Sequence, residues 1–353
     1  MQNDCSRFGV EILNTRYPGD ARDLINFLAS SVPVVEPIAL LVKSEGNGCV
    51  NDFTRVMAYE SYKNEFKRLG FIDVAIVVSG GTEGVLSPHA TLFYKESCVN
   101  KSSYETALTI GVSRTREMRP AEIGSIEHVE MVTCAVRSAL RKAEIESVKD
   151  VEFVQIKCPL LRDEDITGLR HEGVPLLTDG TYRSMGLSRG ASALGSAVAL
   201  EEISGVHRDD ICNNWDLYSS KTSVSSGAEL RHCEIVVFGN SKNVCGNLFI
   251  SSALMQDPID TNQILEVLKL QKAHHEGSNI VQIFAKADPV GIVRGNRSIM
   301  LDDSDIAATR HARAAVGGVL SSIVGRTNIY VSGGAEHQGP VGGGPVAIIS
   351  KHG

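Results

Sequence analysis

The stretch "VAIVVSGGTEG" at residues 74–84 joins an apolar, β-branched run to a short polar loop, and the chain contains this element more than once. "NIYVSGGAE" at 328–336 repeats it, and "TSVSSGAE" at 222–229 is a weaker copy with one glycine fewer. The apolar run predicts a buried strand, and the serine and glycines predict a turn after it. One strand-and-loop element therefore occurs three times, which indicates internal repeats.

Upstream of each copy lies an apolar run that ends in lysine: "PIALLVK" (37–43), "VEFVQIK" (151–157) and "NIVQIFAK" (279–286). The lysine and the serine that follows it are separated by 36, 69 and 46 residues in the three units. The units share their order but not their length, as expected if insertions fall in loops. We predict an α/β fold of three structurally similar repeat units with pseudo-threefold symmetry, at residues 1–104, 105–249 and 250–353.

A helix is predicted between the lysine strand and the serine strand of each unit. The segments 52–70, 189–205 and 304–325 have helical apolar spacing or a high alanine content. Asp52 and Gly70 are cap signals for the first helix, and Ser304-Asp305 is a candidate cap for the third. Each helix carries an arginine, namely Arg55, Arg189 and either Arg310 or Arg313.

The recurrence of these polar groups predicts a shared site. A lone lysine or arginine is usually an exposed surface residue, but fold maintenance has no evident use for the same three polar groups in every unit. A serine followed by glycines exposes its hydroxyl and free backbone N–H groups, and an arginine offers a planar pair of donors for carbonyl oxygens. A lysine can act as a base when burial and nearby cations keep it neutral. Three such units around one centre predict a pocket for a small, flat molecule with a carbonyl on each of three sides.

The composition and charge of the chain restrict the classes of partner that it can bind. The 353 residues are 42% hydrophobic and 22% charged, with a net charge of −7. This charge gives no general attraction to nucleic acid or to an anionic membrane, and no apolar run is long enough to cross a bilayer. The first residues lack the features of a secretion signal, so we expect a cytoplasmic protein. The eight cysteines form no C-x-x-C pair, which favours reduced thiols over a zinc site.

One motif competes for the role of nucleophile. "GLSRG" at 186–190 matches the G-x-S-x-G turn of α/β-hydrolases, which would make Ser188 the nucleophile. That turn needs a buried strand directly before it, whereas "LLTDGTYRSM" at 176–185 is typical of a loop. We therefore disfavour it. A non-catalytic protein that binds a small imide or anion in the threefold pocket is the alternative from another class.

Five motifs resemble the ring-opening amidohydrolases, the family that includes cyanuric acid hydrolase and barbiturase. They are "KSEGNGCVNDFTR" (43–55), "SGGTEGVLSPH" (79–89), "SRGASALG" (188–195), "TRHARAAVGGVL" (309–320) and "SGGAEHQGPVGGGPVA" (332–347). The resemblance implies three similar domains around one central active site, assembly as a homotetramer, and hydrolytic opening of a cyclic imide. Cyanuric acid would give carboxybiuret and then biuret and carbon dioxide; barbituric acid, with one ring NH replaced by CH₂, is the alternative substrate.

The resemblance also implies residue roles. Ser226 would be the nucleophile and Lys157 its base, with Ser225 as the alternative if the register shifts by one. The other groups would bind the ring: Arg55, Arg189, Arg313, Lys43, Lys286, Gly227 and the pairs Ser79-Gly80 and Ser332-Gly333. Arg313 is preferred to Arg310 by its distance from the serine loop. The sequence adds one hint: Lys43 and Lys286 are followed two residues later by Glu45 and Asp288, whereas Lys157 has no such acid and should be easier to keep neutral.

The last loop, "AEHQGPVGGGP" at 335–345, suggests a second site. Consecutive backbone carbonyls and Gln338 could surround a hard cation, and oxygen ligands suit Mg²⁺ or Ca²⁺. The resemblance implies a structural metal here, and no organic cofactor. Its ligands would be Ala335, Gln338, Gly339, Pro340, Gly343 and Asp288, where family members commonly carry glutamate. The alternative is a glycine turn without metal.

Overall fold

In the part of the chain that the structure describes, three four-stranded sheets with the same strand order form the framework. The computed structural model describes residues 5–31, 35–46, 50–98, 104–274 and 279–352. Residues 47–49 of the first family motif, including Cys49, lie outside the described residues. In each sheet an apolar strand ending in lysine is paired in parallel with the serine strand, and all other pairs are antiparallel.

The first sheet comes from residues 5–98 and has the order β1-β4-β2-β3. Its elements are β1 (Cys5–Asn14), α1 (Arg22–Ser30), β2 (Glu36–Ser44), α2 (Phe53–Arg68), β3 (Ala75–Gly80) and β4 (His89–Cys98). The lysine strand β2 and the serine strand β3 are parallel, so their carboxyl ends meet at one edge of the sheet. Lys43 and Ser79 therefore stand side by side.

The second sheet repeats this order as β5-β8-β6-β7. Its elements are β5 (Ala107–Arg114), α3 (Ile126–Lys142), β6 (Val151–Pro159), α4 (Asp163–His171), α5 (Thr181–Ala199), β7 (Thr222–Gly227) and β8 (Glu234–Ser241). The additional helix α4, between the lysine strand and the serine strand, accounts for part of the longer separation in this unit.

The third sheet has the order β9-β14-β10-β13. Its elements are β9 (Leu248–Met255), α6 (Thr261–His274), β10 (Asn279–Ala287), β11 (Ile292–Val293), β12 (Asn296–Arg297), α7 (Ala308–Val324), β13 (Tyr330–Gly333) and β14 (Gly344–Lys351). The fold class, three similar α/β units, is confirmed. The boundary drawn between residues 249 and 250 falls inside β9, because this strand belongs to the third sheet from Leu248 onward.

The two faces of each sheet bury different surfaces. In β2, Leu40 and Val42 face the helices of their own unit, whereas Ala39 and Leu41 join a cluster shared by all three units. Lys43 has the same parity as Leu41, because side chains alternate along a strand. The shared cluster includes Phe93, Phe238 and Phe284, one from each sheet. The lysines therefore project toward the common centre, above an apolar core.

The predicted helix ends agree with the structure for one helix and differ from it for the other two. The helix at 52–70 is confirmed: Asp52 caps α2 by accepting from the Thr54 N–H, and Gly70 follows it with a φ of +90°. The expected cap at Ser304-Asp305 is wrong, because α7 begins at Ala308 with Ala307 at its N-cap and no capping side chain. The helix predicted at 189–205 begins earlier, at Thr181, and ends at Ala199.

The early start of α5 shows that the competing G-x-S-x-G motif is not a strand-to-helix turn. Ser188 lies inside this helix, is fully buried, and donates its hydroxyl to the carbonyl of Pro159 at 2.6 Å. The motif is therefore part of a continuous helix and not an exposed strand-to-helix turn. None of the helices in the described part of the chain is long and apolar enough to cross a membrane.

Candidate active site

Three buried lysines converge where the three units meet. Lys43, Lys157 and Lys286 are each 0% exposed. Each ammonium donates to a backbone carbonyl of another unit: Lys43 to Val331 at 2.8 Å, Lys157 to Val78 at 2.6 Å, and Lys286 to Val224 at 2.5 Å. The three contacts close a ring around the centre. They satisfy the buried donors and hold the units together at the site.

The lysine strands are in register with the serine strands. Lys43 lies opposite Ser79, and Lys286 lies opposite Ser332. The Nζ atoms are 3.4 Å and 3.2 Å from the respective hydroxyls. These two pairs are those that the sequence predicted.

The second unit departs from that prediction. Lys157 lies opposite Ser225, and Ser226 is one position further along, opposite Cys158. Ser226 thus occupies the place that Gly80 and Gly333 hold in the other units. The pairing of Ser226-Gly227 with the other Ser-Gly pairs is therefore wrong in register, because the glycine missing from this copy is the first one. Lys157 approaches the backbone carbonyl of Ser226 at 3.2 Å, and the Ser226 hydroxyl instead accepts from Arg189 Nη1 at 3.2 Å.

The three predicted arginines all reach this centre. Arg313 is buried and Arg310 only partly so, and Arg313 lies against the glycines of two serine loops: a Cβ on Gly81 or Gly333 would come within 2.6 Å or 2.8 Å of its guanidinium. Arg313, and not Arg310, is therefore the arginine at the site. Arg55 donates through Nη1 to the Ser226 carbonyl at 2.6 Å.

Two glutamates that were not among the predicted site residues bind Arg313 and Arg189. Arg313 Nε donates to Glu83 at 2.6 Å, and Arg189 Nε donates to Glu336 at 2.7 Å. Each pair joins a helix of one unit to the serine loop of another. The signal was present, since a glutamate follows each repeated loop at 83, 229 and 336. We interpret the pairs as supports that fix the guanidinium planes.

Glu229, the third of these glutamates, behaves differently. Its carboxylate lies 2.7 Å from Lys157 Nζ, and both side chains are buried. Among the described residues, no ion pair joins Lys43 or Lys286 to a carboxylate. The hint that Lys157 is the lysine without a nearby acid is therefore wrong. The acid comes from the loop after β7, which spacing along β6 did not reveal.

Burial and charge act on these groups in opposite directions. Burial and the Arg313 guanidinium lower the pKa of Lys43 well below its usual value. Burial also lowers the pKa of Lys157, but the Glu229 carboxylate opposes this effect. Burial raises the pKa of the Glu229 carboxyl, yet Lys157 and Arg55 outweigh it and the net shift is downward. Among the described residues, the second unit thus pairs its lysine with a carboxylate, whereas Lys43 of the first unit has no such partner.

The last loop contacts a partly buried carboxylate. Asp288 follows β10, and its Oδ2 accepts from the Gly342 N–H at 2.8 Å. Burial raises the pKa of this carboxyl to about 6. The loop around it contains the carbonyl groups of Ala335, Gln338, Gly339, Pro340 and Gly343. A partly buried acid beside a loop rich in backbone carbonyl groups has the oxygen chemistry that suits a hard cation such as Mg²⁺.

Two details refine the predicted ligands. The Gln338 side-chain oxygen accepts from the Val224 N–H at 2.6 Å, so its side chain serves to link the second and third units. Gln338 would offer only its backbone carbonyl. Within the described residues there is no group of three or more His, Cys, Asp or Glu that could hold a metal, so a cation here would depend on Asp288 and carbonyl oxygens.

Comparison with known proteins identifies the family. The family model described as amidohydrolase ring-opening protein matches residues 9–351. The chain belongs to this family and is a hydrolytic ring-opening enzyme. A cyanuric acid amidohydrolase of Rhizobium johnstonii is 50% identical over 336 residues, with 94% of each chain covered. One of Pseudomonas sp. (strain ADP) is 42% identical over 355 residues, covering 95% of this chain and 96% of the relative.

Solved structures agree with the sequence relatives. The cyanuric acid hydrolase of A. caulinodans superposes with a TM-score of 0.92 at 41% identity, covering 98% of this chain and 99% of that one. A second cyanuric acid hydrolase, whose structure is described as an innovation by structural concatenation, gives a TM-score of 0.92 at 40% identity, with coverage of 98% and 100%. Concatenated repeats agree with the three equivalent sheets.

Proposed function

We propose that this chain opens the ring of cyanuric acid by hydrolysis, giving carboxybiuret, which loses carbon dioxide to form biuret. The observation that carries the proposal is the convergence of one lysine, one arginine and one serine loop from each unit on a single centre. Cyanuric acid has three equivalent carbonyls around a flat ring, so a centre with threefold symmetry can donate to each of them. The named relatives, at up to 50% identity over most of the chain, support the same substrate.

The mechanism we propose has four steps. Lys157 takes the proton of Ser226, and the serine oxygen attacks one ring carbonyl. Arg189, which already donates to the Ser226 hydroxyl, and backbone N–H groups of the loop stabilise the oxyanion. The ring C–N bond breaks and the leaving nitrogen takes the proton from Lys157. Water then cleaves the acyl-enzyme and restores the serine hydroxyl.

Two hydroxyls compete for the role of nucleophile. Ser226 has the contact with Arg189, whereas Ser225 stands opposite Lys157 in the strand register. We assign Ser226, because its hydroxyl already contacts the guanidinium that would stabilise the developing charge. Ser79 and Ser332 would bind the ring, with Lys43 and Lys286 donating to its carbonyls.

Single substitutions test this assignment. We expect Ser226→Ala to lower kcat by about a thousandfold or more, because no acyl-enzyme can form. Ser225→Ala and Ser79→Ala should retain measurable turnover, with a raised KM for Ser79→Ala. The measurement is biuret formation from cyanuric acid, alongside circular dichroism to check folding. Wild-type turnover by Ser226→Ala, with loss of activity in Ser225→Ala, would move the nucleophile to Ser225.

Barbiturase is the second candidate activity. Barbituric acid also carries three ring carbonyls, so the arginines and lysines do not exclude it. Parallel assays with both compounds at equal concentration separate the two activities. We expect the higher kcat/KM for cyanuric acid; turnover of barbituric acid alone would overturn the choice of substrate.

We also propose a structural Mg²⁺ in the last loop, held by Asp288 and by the carbonyls of Ala335, Gln338, Gly339, Pro340 and Gly343. The partly buried Asp288 carboxylate, which accepts from the Gly342 N–H of this loop, supports this, since a cation would compensate its charge. The ion would fix the loop that carries Glu336 and hence the plane of Arg189. The homotetramer implied by the family resemblance stays a prediction, which light scattering on the purified protein can test.

A further inference from the structure

Glu229 breaks the threefold symmetry of the centre. Lys43 and Lys286 each contact two backbone carbonyls and one serine hydroxyl. Lys157 contacts the carbonyls of Val78 and Ser226, and its third partner is the Glu229 carboxylate. Where two lysines meet a serine, the third meets a buried acid.

The backbone of the second loop explains how the acid gets there. Gly81 and Gly334 have φ values of +95° and +77°, and the space over each is filled by an arginine. Gly227 occupies the corresponding position but does not have a positive φ, and a Cβ on it would lie 2.1 Å from Glu229 Oε2. The carboxylate therefore folds back over Gly227 toward Lys157. In the other two loops the glutamate turns outward to an arginine.

From this geometry we infer that Glu229 is a positioning residue that makes Lys157, alone among the three lysines, a base strong enough to take the serine proton. The inference rests on the proposed function, in which Lys157 is the base. A general base must be neutral when it acts yet hold the proton well enough to remove it from a hydroxyl. Among the described residues no carboxylate forms an ion pair with Lys43, and burial lowers its pKa well below the usual value, which makes it a weak proton acceptor. Lys157 gains proton affinity from Glu229, and the ammonium formed during attack is compensated by this carboxylate.

The charged groups around Lys157 make the direction of the effect clear. Glu229 faces it from the loop after β7, Arg55 faces it from α2, and Cys158 is its neighbour on β6. Lys43 lies within electrostatic reach across the centre. Of these groups, Glu229 supplies the close negative charge. Its removal must lower the pKa of Lys157, because burial and Arg55 then act with less opposition.

The pH dependence of the full-length enzyme tests the inference. Because Lys157 must be neutral to act, kcat/KM should rise with pH through its pKa. We expect Glu229→Gln to move this rise to lower pH by about one unit or more, and to lower the plateau of kcat about 10- to 100-fold with little change in KM. Ionisation of the substrate affects all variants equally, so a difference between two pH profiles comes from a change in the pKa of a group of the enzyme.

Glu83→Gln is the matched control, because it removes an equivalent glutamate that contacts Arg313 and not a lysine. It should raise KM without displacing the profile. Glu229→Asp should move the profile in the same direction as Glu229→Gln but by less, and it carries the test if Glu229→Gln does not fold. The inference is overturned if the Glu229 profiles coincide with the wild type, shift to higher pH, or match Glu83→Gln.

Two further results keep the inference separate from the proposed function. A wild-type enzyme that opens no cyanuric acid at any pH overturns the proposed function. An active Lys157→Ala enzyme overturns the choice of base. If the wild type is active, Lys157→Ala is inactive, and Glu229→Gln leaves the profile unmoved, only the role of Glu229 is wrong.

Discussion

Gly81 shows how one missing side chain shapes the site. Its φ of +95° lies in the left-handed region, and a Cβ here would come within 2.6 Å of the Arg313 guanidinium. The glycine thus serves both the turn after β3 and the close approach of an arginine from another unit. The sequence indicated the turn, but the second use depends on a residue more than 200 positions away in the chain.

Substitution of Gly81 separates these two uses. We expect Gly81→Ala to lose about 1–2 kcal/mol of stability through backbone strain and about tenfold or more in kcat/KM, because Arg313 must move. Gly70→Ala is the matched control: its φ is +90° and no atom lies within 4 Å of the added Cβ. It should lose comparable stability with unchanged kcat/KM. Equal activity in both variants would contradict the role of Gly81 in placing Arg313.

At the scale of elements, the loop between β13 and β14 links the site to the proposed cation. Glu336 supports Arg189, Gln338 binds the backbone of β7, and Asp288 binds Gly342 from the end of β10. A cation that orders this loop would therefore act on the site without contacting substrate. Binding of the cation should therefore change the thermal stability of the protein more directly than its activity.

Thermal unfolding in the presence of Mg²⁺ tests this idea. We expect millimolar Mg²⁺ to raise the Tm of the wild type, because an ion that binds only the folded state stabilises it by mass action. Asp288→Asn should abolish the shift, since a neutral amide binds the ion far less well. Asp305→Asn, a change at an exposed carboxylate before α7, serves as the control and should keep it. A wild-type protein whose Tm is insensitive to both Mg²⁺ and chelator would speak against the metal.

The starts of α2 and α7 show when a capping motif in the sequence predicts the start of a helix correctly. Asp52 caps α2 as its sequence indicated, because the capping oxygen and the N–H it accepts from lie within the same few residues. Ser304-Asp305 carries the same signal without capping α7; the segment before this helix bends instead, with Asp303 accepting from the N–H groups of Asp305 and Ile306. A cap motif predicts a helix start only where no neighbouring acid competes for those N–H groups.

At the scale of the whole molecule, the three units share one core. Phe284 of the third sheet is fully buried and contacts Phe93 of the first sheet and Phe153 and Phe238 of the second, with ring centroids 5.4–6.2 Å apart. An isolated unit would expose this face to water. We therefore expect the chain to unfold as one cooperative body, although it consists of repeats.

Phe284→Ala tests this cooperativity. We expect a loss of about 3–5 kcal/mol, because a large buried ring is removed. The single tryptophan, Trp215, lies in the second unit and stacks on His337 of the third, so its signal reports these two units, whereas circular dichroism reports the whole chain. In urea, both signals should shift together for Phe284→Ala, as they should for Phe66→Ala in the first unit. For Phe66→Ala, a Trp215 transition that stays at the wild-type midpoint would show that the units unfold independently.

The sequence by itself determined the repeat, the fold class and the polar groups of each unit. It could do so because strand periodicity, cap signals and glycine turns are local, and because three copies of one motif exclude chance. Only the tertiary structure decided which groups meet across units: the Glu83–Arg313 and Glu336–Arg189 pairs, the lysine contacts with carbonyls of other units, and the Glu229–Lys157 pair. The register of β7 against β6, which places Ser225 and not Ser226 opposite Lys157, was also decided only by the tertiary structure. These contacts join residues that are distant in the chain, and their partners follow from how the three sheets pack around the centre, which no local pattern records.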